Sequence, residues 1–416
     1  MRIDMVSEHA SPLAAPGGPD SGGQNVYVAG LSRALGAAGH EVTVWTRRDD
    51  PGLPASVPFA PGVTVRHLDA GPPRPLPKDR LVPHVPAMAA ELERAWTAER
   101  PDVVHAHFWM SGLAAVAAAG RVAVPVVQTF HAIGVVKRRH QRADDSSPSG
   151  RVPAEQAVAR RAAAVVATCA DEVDELARLG VPRRRISMVP GGVDVDGFTP
   201  HGPAWDRDPG VRRLVTLGRL VPRKGVDDVV RALRRLPGAE LLVAGGPAAG
   251  PLDDDPDIVR LRAAARSAGV AERVRFVGVV PHAEVPALIR SADVVVCTPW
   301  YEPFGMVALE AMACGRPVVA SSVGGLDDTV VHDVTGRHVP PRRPDALVAA
   351  LRGLLAQPAM LEAHGIAGRD RATACYRWSR VAECCVEVYG GVVAARSAKS
   401  EDAGSDDAAT VTRIAR

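Results

Sequence analysis

Short apolar segments alternate with segments of helical periodicity along almost the whole chain. In the first half, strands are predicted at 2–6, 41–45, 63–67, 102–106, 125–129, 163–167 and 186–189. Helical patterns lie between several of them, at 23–38, 80–98, 109–119, 153–162 and 171–179. Because strands that alternate with helices form a mostly parallel sheet covered on both faces, this half predicts an α/β domain.

The alternation restarts after the segment 191–210, which is dense in Gly, Pro and Asp. Strands are predicted at 213–217, 240–244, 274–278, 293–298 and 317–321, and helices at 226–236, 258–268, 283–291, 304–314 and 344–355. We therefore predict two Rossmann-like, doubly wound domains that face a central cleft, with ligands at the carboxyl ends of both sheets. The predicted limits are 1–197 for the N-terminal domain, 198–372 for the C-terminal domain, 373–395 for a helix that crosses back, and 396–416 for a disordered tail. The polar segment 134–150 is predicted to be a mobile loop at the cleft.

Composition narrows the function classes. The chain has 416 residues, 46% hydrophobic and 23% charged, and its net charge of +3 gives no reason to expect a nucleic acid or an anionic membrane as partner. No apolar run approaches the roughly 18 residues that span a bilayer, and the N-terminus has no apolar leader, so we expect a cytoplasmic protein. The six cysteines form no C-x-x-C pair, and the acidic triplet at 253–255 lies in a predicted solvent loop. No metal site is therefore predicted.

A glycine-rich segment, PGGPDSGGQ at 16–24, lies between the first predicted strand and a long helix. Glycines such as Gly22 and Gly23 let backbone amides approach an anion closely at a helix N-terminus, where the helix dipole favours negative charge. The segment is not a dinucleotide fingerprint, since G-x-G-x-x-G does not occur in the chain. It indicates a phosphate-binding turn, and a plain flexible loop is the alternative.

Two cations, Arg219 and Lys224, lie in the turn GRLVPRKG that follows another predicted strand. At the carboxyl end of a strand, such a pair can hold a diphosphate from two sides. Neutralising a pyrophosphate leaving group is the electrostatic help that glycosyl transfer needs. The alternative is an ordinary basic surface loop.

Two carboxylates, Glu302 and Glu310, lie before and within a predicted helix in EPFGMVALE. Free amides at a helix start can bind a phosphate or sugar hydroxyls. Here these amides belong to Phe304, Gly305, Met306 and Val307. Glu310 can accept hydrogen bonds from both hydroxyls of a ribose. The alternatives are a helix-terminal charge for Glu302 and a solvated surface residue for Glu310.

In the order PGGPDSGGQ, PGGVD at 190–194, GR…KG and E-x₇-E, these motifs resemble those of glycosyltransferase family 4, whose members are retaining enzymes with the GT-B fold. The family includes sucrose-phosphate synthase and the mycothiol-pathway N-acetylglucosaminyltransferase. The resemblance covers about residues 1–390. It implies a transferase that moves a hexose or N-acetylhexosamine from a nucleoside-diphosphate sugar, with UDP favoured, to a small polar acceptor.

The resemblance also implies roles for individual residues. The donor would be bound by Gly22, Gly23, Arg219, Lys224, Phe304, Gly305, Met306, Val307 and Glu310. Catalysis would rest on His131, Arg219, Lys224 and Glu302. Within these sets, Arg219 and Lys224 hold the diphosphate, Glu302 the sugar hydroxyls and Glu310 the ribose. His131, in TFHA, lies near the reacting centre.

The acceptor side departs from the family member that it most resembles. Three segments are similar to the mycothiol enzyme: SPLAAPGGPDSGGQNVYV, HAHFWMSG and the segment around Lys78. In that enzyme, a Lys, a Tyr, a Thr and an Arg hold the phosphate of inositol 3-phosphate. This chain has Lys78 and Arg151, but Phe108 in place of the Tyr and Ala132 in place of the Thr. If the phosphate were still bound there, the loss of each hydroxyl donor would weaken its binding free energy by about 1–3 kcal/mol. We therefore predict a different acceptor, bound by Asn25, Lys78, Phe108 and Arg151.

The resemblance implies a front-face mechanism, in which the leaving phosphate helps to deprotonate the acceptor. No metal or other cofactor is expected. The expected partners are a small-molecule donor and acceptor, and a homodimer is one expected assembly. Alternatives are D-inositol-3-phosphate N-acetylglucosaminyltransferase activity, a sucrose-phosphate-synthase-like activity and, from other classes, a sugar-nucleotide epimerase, a phosphorylase or a non-catalytic sugar-nucleotide binder.

Overall fold

The computed structural model describes residues 1–14, 22–142, 145–247 and 250–414, with side chains up to 398. The described residues form two predominantly parallel sheets, one in each half of the chain. Buried apolar side chains lie on both faces of each sheet, because successive residues of a strand point to opposite faces. In the first strand, for example, Met5 belongs to one cluster and Val6 to the other. The predicted pair of doubly wound α/β domains is confirmed.

The N-terminal sheet has eight strands in the order β3-β4-β2-β1-β5-β6-β7-β8, and only the β3–β4 pair is antiparallel. Its strands are β1 Arg2–Val6, β2 Glu41–Arg47, β3 Ser56–Ala60, β4 Val63–Leu68, β5 Val103–His107, β6 Val126–Thr129, β7 Ala164–Ala167 and β8 Ile186–Met188. Its helices are α1 Gly23–Ala37, α2 Val85–Ala98, α3 Trp109–Val122, α4 Gly134–Gln141, α5 Arg151–Arg161 and α6 Ala170–Arg178, with short 3₁₀ turns at Lys78–Arg80, Val82–His84 and Arg183–Arg185.

The C-terminal sheet has six parallel strands in the order β11-β10-β9-β12-β13-β14. These are β9 Arg212–Leu217, β10 Ala239–Ala244, β11 Val274–Gly278, β12 Val294–Cys297, β13 Val318–Ser321 and β14 Gly336–Val339. The helices are α7 Val226–Leu233, α8 Pro256–Ser267, α9 Val285–Arg290, α10 Met306–Ala313, α11 Gly325–Thr329, α12 Pro344–Leu355 and α13 Pro358–Cys375, with 3₁₀ turns at Pro222–Lys224, Leu252–Asp254 and Ala271–Arg273.

The last helix, α14 (Trp378–Ile414), returns to the N-terminal domain and packs against α1. Val381, Cys385 and Tyr389 are buried there beside Leu31 of α1. The chain therefore enters the C-terminal domain once and leaves it again through this helix. The domain limits predicted from sequence, with the disordered tail at 396–416, stay predictions.

The prediction from the apolar pattern needs correction at several elements. The segment 134–150 was expected to be a loop, but Gly134–Gln141 forms α4. The pattern also does not predict the edge strands β3 and β14 or the helices α11 and α13. β3 contains Pro58, which interrupts a strand pattern although an edge strand tolerates a proline, and β14 is short, with Arg337 and His338 at its centre. Within the described residues, no single helix is long and apolar enough to cross a membrane. One bent pair of helices, Pro344–Leu355 with Pro358–Cys375, meets the requirements of a membrane span by length and composition alone.

Candidate active site

The predicted cations lie in the turn that links β9 to α7. Strand β9 ends at Leu217, and the 3₁₀ turn Pro222–Lys224 brings the chain back toward the carboxyl ends of the strands. There, the Lys224 ammonium donates a hydrogen bond to the carboxylate of Glu302. Arg219 and Arg223 also lie within electrostatic reach of this carboxylate. Sequence analysis missed Arg223, although it is part of the same basic run.

The charge balance at this turn favours an anionic ligand. Burial raises the pKa of Glu302, but Lys224, Arg223 and Arg219 together bring it below its usual value. The carboxylate is therefore ionised at neutral pH and neutralises one of three cations. The remaining positive charge lies in a partly enclosed place, where interaction with a diphosphate is stronger than in open water.

The loop after β12 leads into α10, and the backbone amides at the N-terminus of this helix have no acceptor among the described residues. Gly305 caps the helix in the left-handed region, at φ 93°, and the amides of residues 304–307 donate to no described residue. Across the cleft, α1 begins at Gly23, and a Cβ added there would lie 3.8 Å from Met306 Cγ. The positive ends of two helix dipoles, one from each domain, therefore face one space. Most of the glycine-rich motif at 16–24 lies outside the described residues, which resume at Gly22.

Glu310, in the second turn of α10, is an ionisable group without a partner among the described residues. It is half-buried between fully buried neighbours, Leu309 and Ala311. Burial raises the pKa of Glu310 to about 8. Lys224, Glu302 and Glu310 all lie within electrostatic reach of Cys297, at the end of β12. The donor residues predicted from the C-terminal half are thus brought together at one strand end.

Two strained residues mark the opposite wall of the cleft. Phe108 follows β5 with φ 78° and ψ 159°, and His131 follows β6 with φ 59°. Such conformations are costly for residues other than glycine and cluster at functional sites. His131 Nε2 is 3.0 Å from Nδ1 of His107, and its ring meets the edge of Tyr27 at 5.0 Å. Burial lowers the pKa of His131 to about 3, so its imidazole is neutral at physiological pH.

The four predicted acceptor residues have different surroundings. Asn25 is buried and caps α1: its Oδ1 accepts from the Gly22 amide at 3.0 Å, and its Nδ2 donates to the Ser11 carbonyl at 3.0 Å. Arg151 is also buried, and its Nε donates to Glu155 at 2.7 Å. The acceptor roles of both residues stay predictions.

Phe108 contacts Arg151, and the turn that contains Lys78 contacts the loop before α5. The Arg151 guanidinium carbon lies 5.1 Å from the centre of the Phe108 ring, and the same guanidinium donates to the Ala132 carbonyl. Lys78 lies in the 3₁₀ turn whose Asp79 accepts from the hydroxyl of Ser146, in the loop just before α5. Phe108 and Ala132, the two residues predicted to replace hydroxyl side chains of the family, therefore both contact Arg151.

Contacts between the domains were not predicted. Tyr301 of the C-terminal domain stacks on His140 of α4, with ring centroids 5.0 Å apart and planes at 17°. The Asp328 carboxylate accepts from the amide of Ala170, at the start of α6, at 2.6 Å. No sequence motif marks these residues, because their partners are distant along the chain. In the described part of the chain, no group of three or more His, Cys, Asp or Glu side chains could hold a metal ion.

Comparisons with known proteins agree with this geometry. The family model described as Glycosyltransferase Family 4 matches residues 21–196, and the model described as Glycosyl transferases group 1 matches 203–371. A D-inositol 3-phosphate glycosyltransferase of Xylanimonas cellulosilytica is 39% identical over 96% of this chain and 98% of its own. D-inositol 3-phosphate glycosyltransferase 2 of Catenulispora acidiphila is 36% identical over 93% of this chain and 94% of its own.

A solved structure has the same architecture. Sucrose-phosphate synthase from Thermosynechococcus elongatus superposes with a TM-score of 0.86 at 32% identity, covering 95% of this chain and 100% of the other. The predicted GT-B fold is therefore confirmed. With two family models matching most of the chain and relatives similar over nearly their full length, the chain belongs to glycosyltransferase family 4, and it is a retaining glycosyltransferase that uses a nucleotide-sugar donor.

Proposed function

We propose that this enzyme transfers a hexose or N-acetylhexosamine from a UDP-sugar to a small polar acceptor that carries no phosphate. The observation that carries the donor half is the group of Arg219, Arg223 and Lys224 around Glu302, opposite the open N-terminus of α10. Glu310, one turn along that helix and without a partner among the described residues, suits a ribose diol. The choice of uridine rests on the family resemblance.

The proposed mechanism is a front-face transfer. The bond between the anomeric carbon and the donor phosphate oxygen breaks, and the acceptor oxygen bonds to the same face of that carbon. The acceptor proton passes to the leaving phosphate. Arg219 and Lys224 stabilise the charge that develops on this phosphate, while His131 and Glu302 orient the sugar. Since three cations supply the positive charge, we propose that no metal is required, and we expect chelators to leave turnover unchanged.

The acceptor half rests on Phe108 and Ala132. Where the mycothiol enzyme is inferred to have two hydroxyls, this chain has the aromatic ring of Phe108 beside Arg151, and Ala132, which contacts Arg151 through its backbone carbonyl. The Arg151 charge is already compensated by Glu155. A neutral polyol or sugar suits this surface better than a phosphate ester. The second candidate is D-inositol 3-phosphate itself, which the names of the relatives favour together with the presence of Lys78.

A matrix of donors and acceptors tests both halves. The purified chain is incubated with UDP-, GDP-, ADP- and TDP-sugars and with inositol, D-inositol 3-phosphate, fructose and fructose 6-phosphate, and released nucleoside diphosphate is measured. UDP release that depends on an unphosphorylated acceptor supports the proposal. A higher kcat/KM with D-inositol 3-phosphate would establish the second candidate. Release of a nucleoside diphosphate other than UDP, and of no UDP, would refute uridine as the donor base. The cytoplasmic location and the homodimer stay predictions.

The affinity for UDP is expected to rise with pH and to level off above about 8, because Glu310, whose pKa is about 8, accepts both ribose hydroxyls only when ionised. Below that pH, each unit should weaken binding by up to about tenfold. Titration calorimetry of UDP across this range measures the slope. Above about pH 7, where the terminal phosphate of the nucleotide is already largely ionised, Glu310→Gln should bind UDP more weakly and lose the slope. In the same range 2′,3′-dideoxy-UDP should show no slope with the unmodified enzyme. An equal slope for both nucleotides would contradict the ribose assignment.

A further inference from the structure

Three histidines lie together beneath the cleft, at the carboxyl ends of β5 and β6. His105 and His107 are alternate residues of β5 and therefore point to the same face of the sheet. Their ring centroids are 4.1 Å apart, and His107 is stacked on His131 at 5.2 Å. His105 and His107 are fully buried, whereas His131 is partly exposed. The cluster thus extends from the protein interior to the proposed catalytic residue.

The two buried rings differ in how their nitrogens are satisfied. His105 Nδ1 lies 2.7 Å from the Tyr389 hydroxyl, and its Nε2 lies 2.8 Å from the Thr129 hydroxyl. His107 makes one hydrogen bond, from Nδ1 to His131 Nε2 at 3.0 Å. Its Nε2 is buried and has no partner among the described residues. A buried polar atom left without a partner is unfavourable and calls for an explanation.

The unpartnered nitrogen decides which ring donates. Both imidazoles are neutral, because burial lowers the pKa of His131 and of His107. If His131 donated, the proton of His107 would lie on Nε2, a buried N–H without an acceptor. If His107 donates from Nδ1, its Nε2 carries only an unused lone pair. Among main-chain groups, a buried N–H without an acceptor is rarer than an acceptor with an unused lone pair. By the same reasoning for imidazole nitrogens, the second arrangement is favoured.

That arrangement leaves His131 with its proton on Nδ1. This nitrogen makes no hydrogen bond to any described residue. The strained backbone of His131, at φ 59°, and the edge of Tyr27 fix the ring. We propose that His107 is a positioning residue that holds His131 in its Nδ1–H form, so that an N–H donor is offered to the hydroxyls of the donor sugar. The proposal rests on the proposed function for the role of His131.

Two variants separate this role from simple packing. His107→Leu keeps an apolar side chain of comparable size but removes the donor. His107→Asn places an amide near the position of Nδ1 and retains a donor. Tyr389→Phe, the control, removes a hydrogen bond from His105 while leaving the His107–His131 contact in place. Melting temperatures establish that each variant is folded.

The tautomer is read by long-range ¹H–¹⁵N correlation spectra of deuterated, ¹⁵N-histidine-labelled protein, with His131→Gln to assign the signal. We expect the Nδ1–H pattern for His131 in the unmodified enzyme, in His107→Asn and in Tyr389→Phe, and its loss in His107→Leu. With UDP-glucose or UDP-N-acetylglucosamine, kcat of His107→Leu should fall about 10–100-fold, by analogy with the loss of a hydrogen-bond partner that orients a metal-bound histidine. His107→Asn should recover most of this loss. Binding of UDP, which lacks the sugar, should not change.

An Nε2–H pattern in the unmodified enzyme would overturn the proposal, as would a folded His107→Leu that keeps its kcat. A parallel loss of UDP binding and kcat would also overturn it, because it would indicate general disruption of the cleft. If no UDP-sugar were turned over, the proposed donor would be wrong, while the spectra would still decide the tautomer.

Discussion

Replacing Lys224 by alanine is expected to lower the turnover of the nucleotide-sugar donor about 10²–10³-fold, the range found when one preorganised charge-stabilising donor is removed. Without a ligand, the ammonium is held by Glu302 and is about one-quarter exposed, at 26%. A diphosphate can therefore reach it without large rearrangement. The substitution also leaves the largely buried Glu302 carboxylate with less compensating positive charge, so the pKa of Glu302 rises. A protonated Glu302 accepts hydrogen bonds from the sugar hydroxyls less strongly. The measurement is kcat with saturating donor.

Arg231→Ala is a matched control, because this cation lies on nearby α7, is 57% exposed and makes only a 3.4 Å ion pair with Asp228. Its turnover should stay near that of the unmodified enzyme. Lys224→Arg should lie between the two, since it keeps the charge but replaces a compact ammonium by a planar fork. Near-normal turnover of a folded Lys224→Ala enzyme would contradict the assignment of the diphosphate site.

The apolar pattern predicts every strand except the edge strands β3 and β14, because parallel strands buried on both faces are continuous apolar runs. It failed for α4, GVVKRRHQ, in which five of the eight residues are charged or polar. That helix is held by tertiary contacts: the Gly134 amide donates to Glu155, Arg139 pairs with Glu175, and His140 stacks on Tyr301. Such contacts override local preference and cannot be inferred from a single sequence.

The site was predicted to the extent that its residues are contiguous in motifs. Lys224 and Glu302 were placed in separate motifs, and their direct contact in the structure gives the diphosphate turn its charge balance. His107 was part of a recognisable HAHFW run, yet its contact with His131 depends on the register of β5 against β6. Asn25 shows the reverse case, since its amide is used to cap α1. A motif indicates which residues lie near a ligand, whereas their hydrogen bonds depend on the fold.

The backbone at Gly225 should be as important for the site as the lysine before it. Gly225 has φ +69°, a conformation that costs other residues about 1–2 kcal/mol. A Cβ added there would lie 1.9 Å from the Thr298 carbonyl oxygen. That contact is with backbone on the neighbouring strand end, so the turn has to move, and overpacking of this kind costs about 1–3 kcal/mol more. Gly225→Ala is therefore expected to lower the free energy of unfolding by about 2–5 kcal/mol, the sum of these two ranges.

Gly238→Ala measures the conformational contribution alone, so its difference from Gly225→Ala gives the steric contribution. Gly238, in the turn before β10, has a similar φ of +75° but nothing within 4 Å of an added Cβ. It should lose only about 1–2 kcal/mol. Urea unfolding of both variants measures the difference, and donor turnover should fall for Gly225→Ala alone, because the movement displaces Lys224 from Glu302. Equal losses of stability with equal turnover would show that the turn relaxes without disturbing the cations, and that Lys224 is positioned by its side-chain contacts and not by the backbone beneath it.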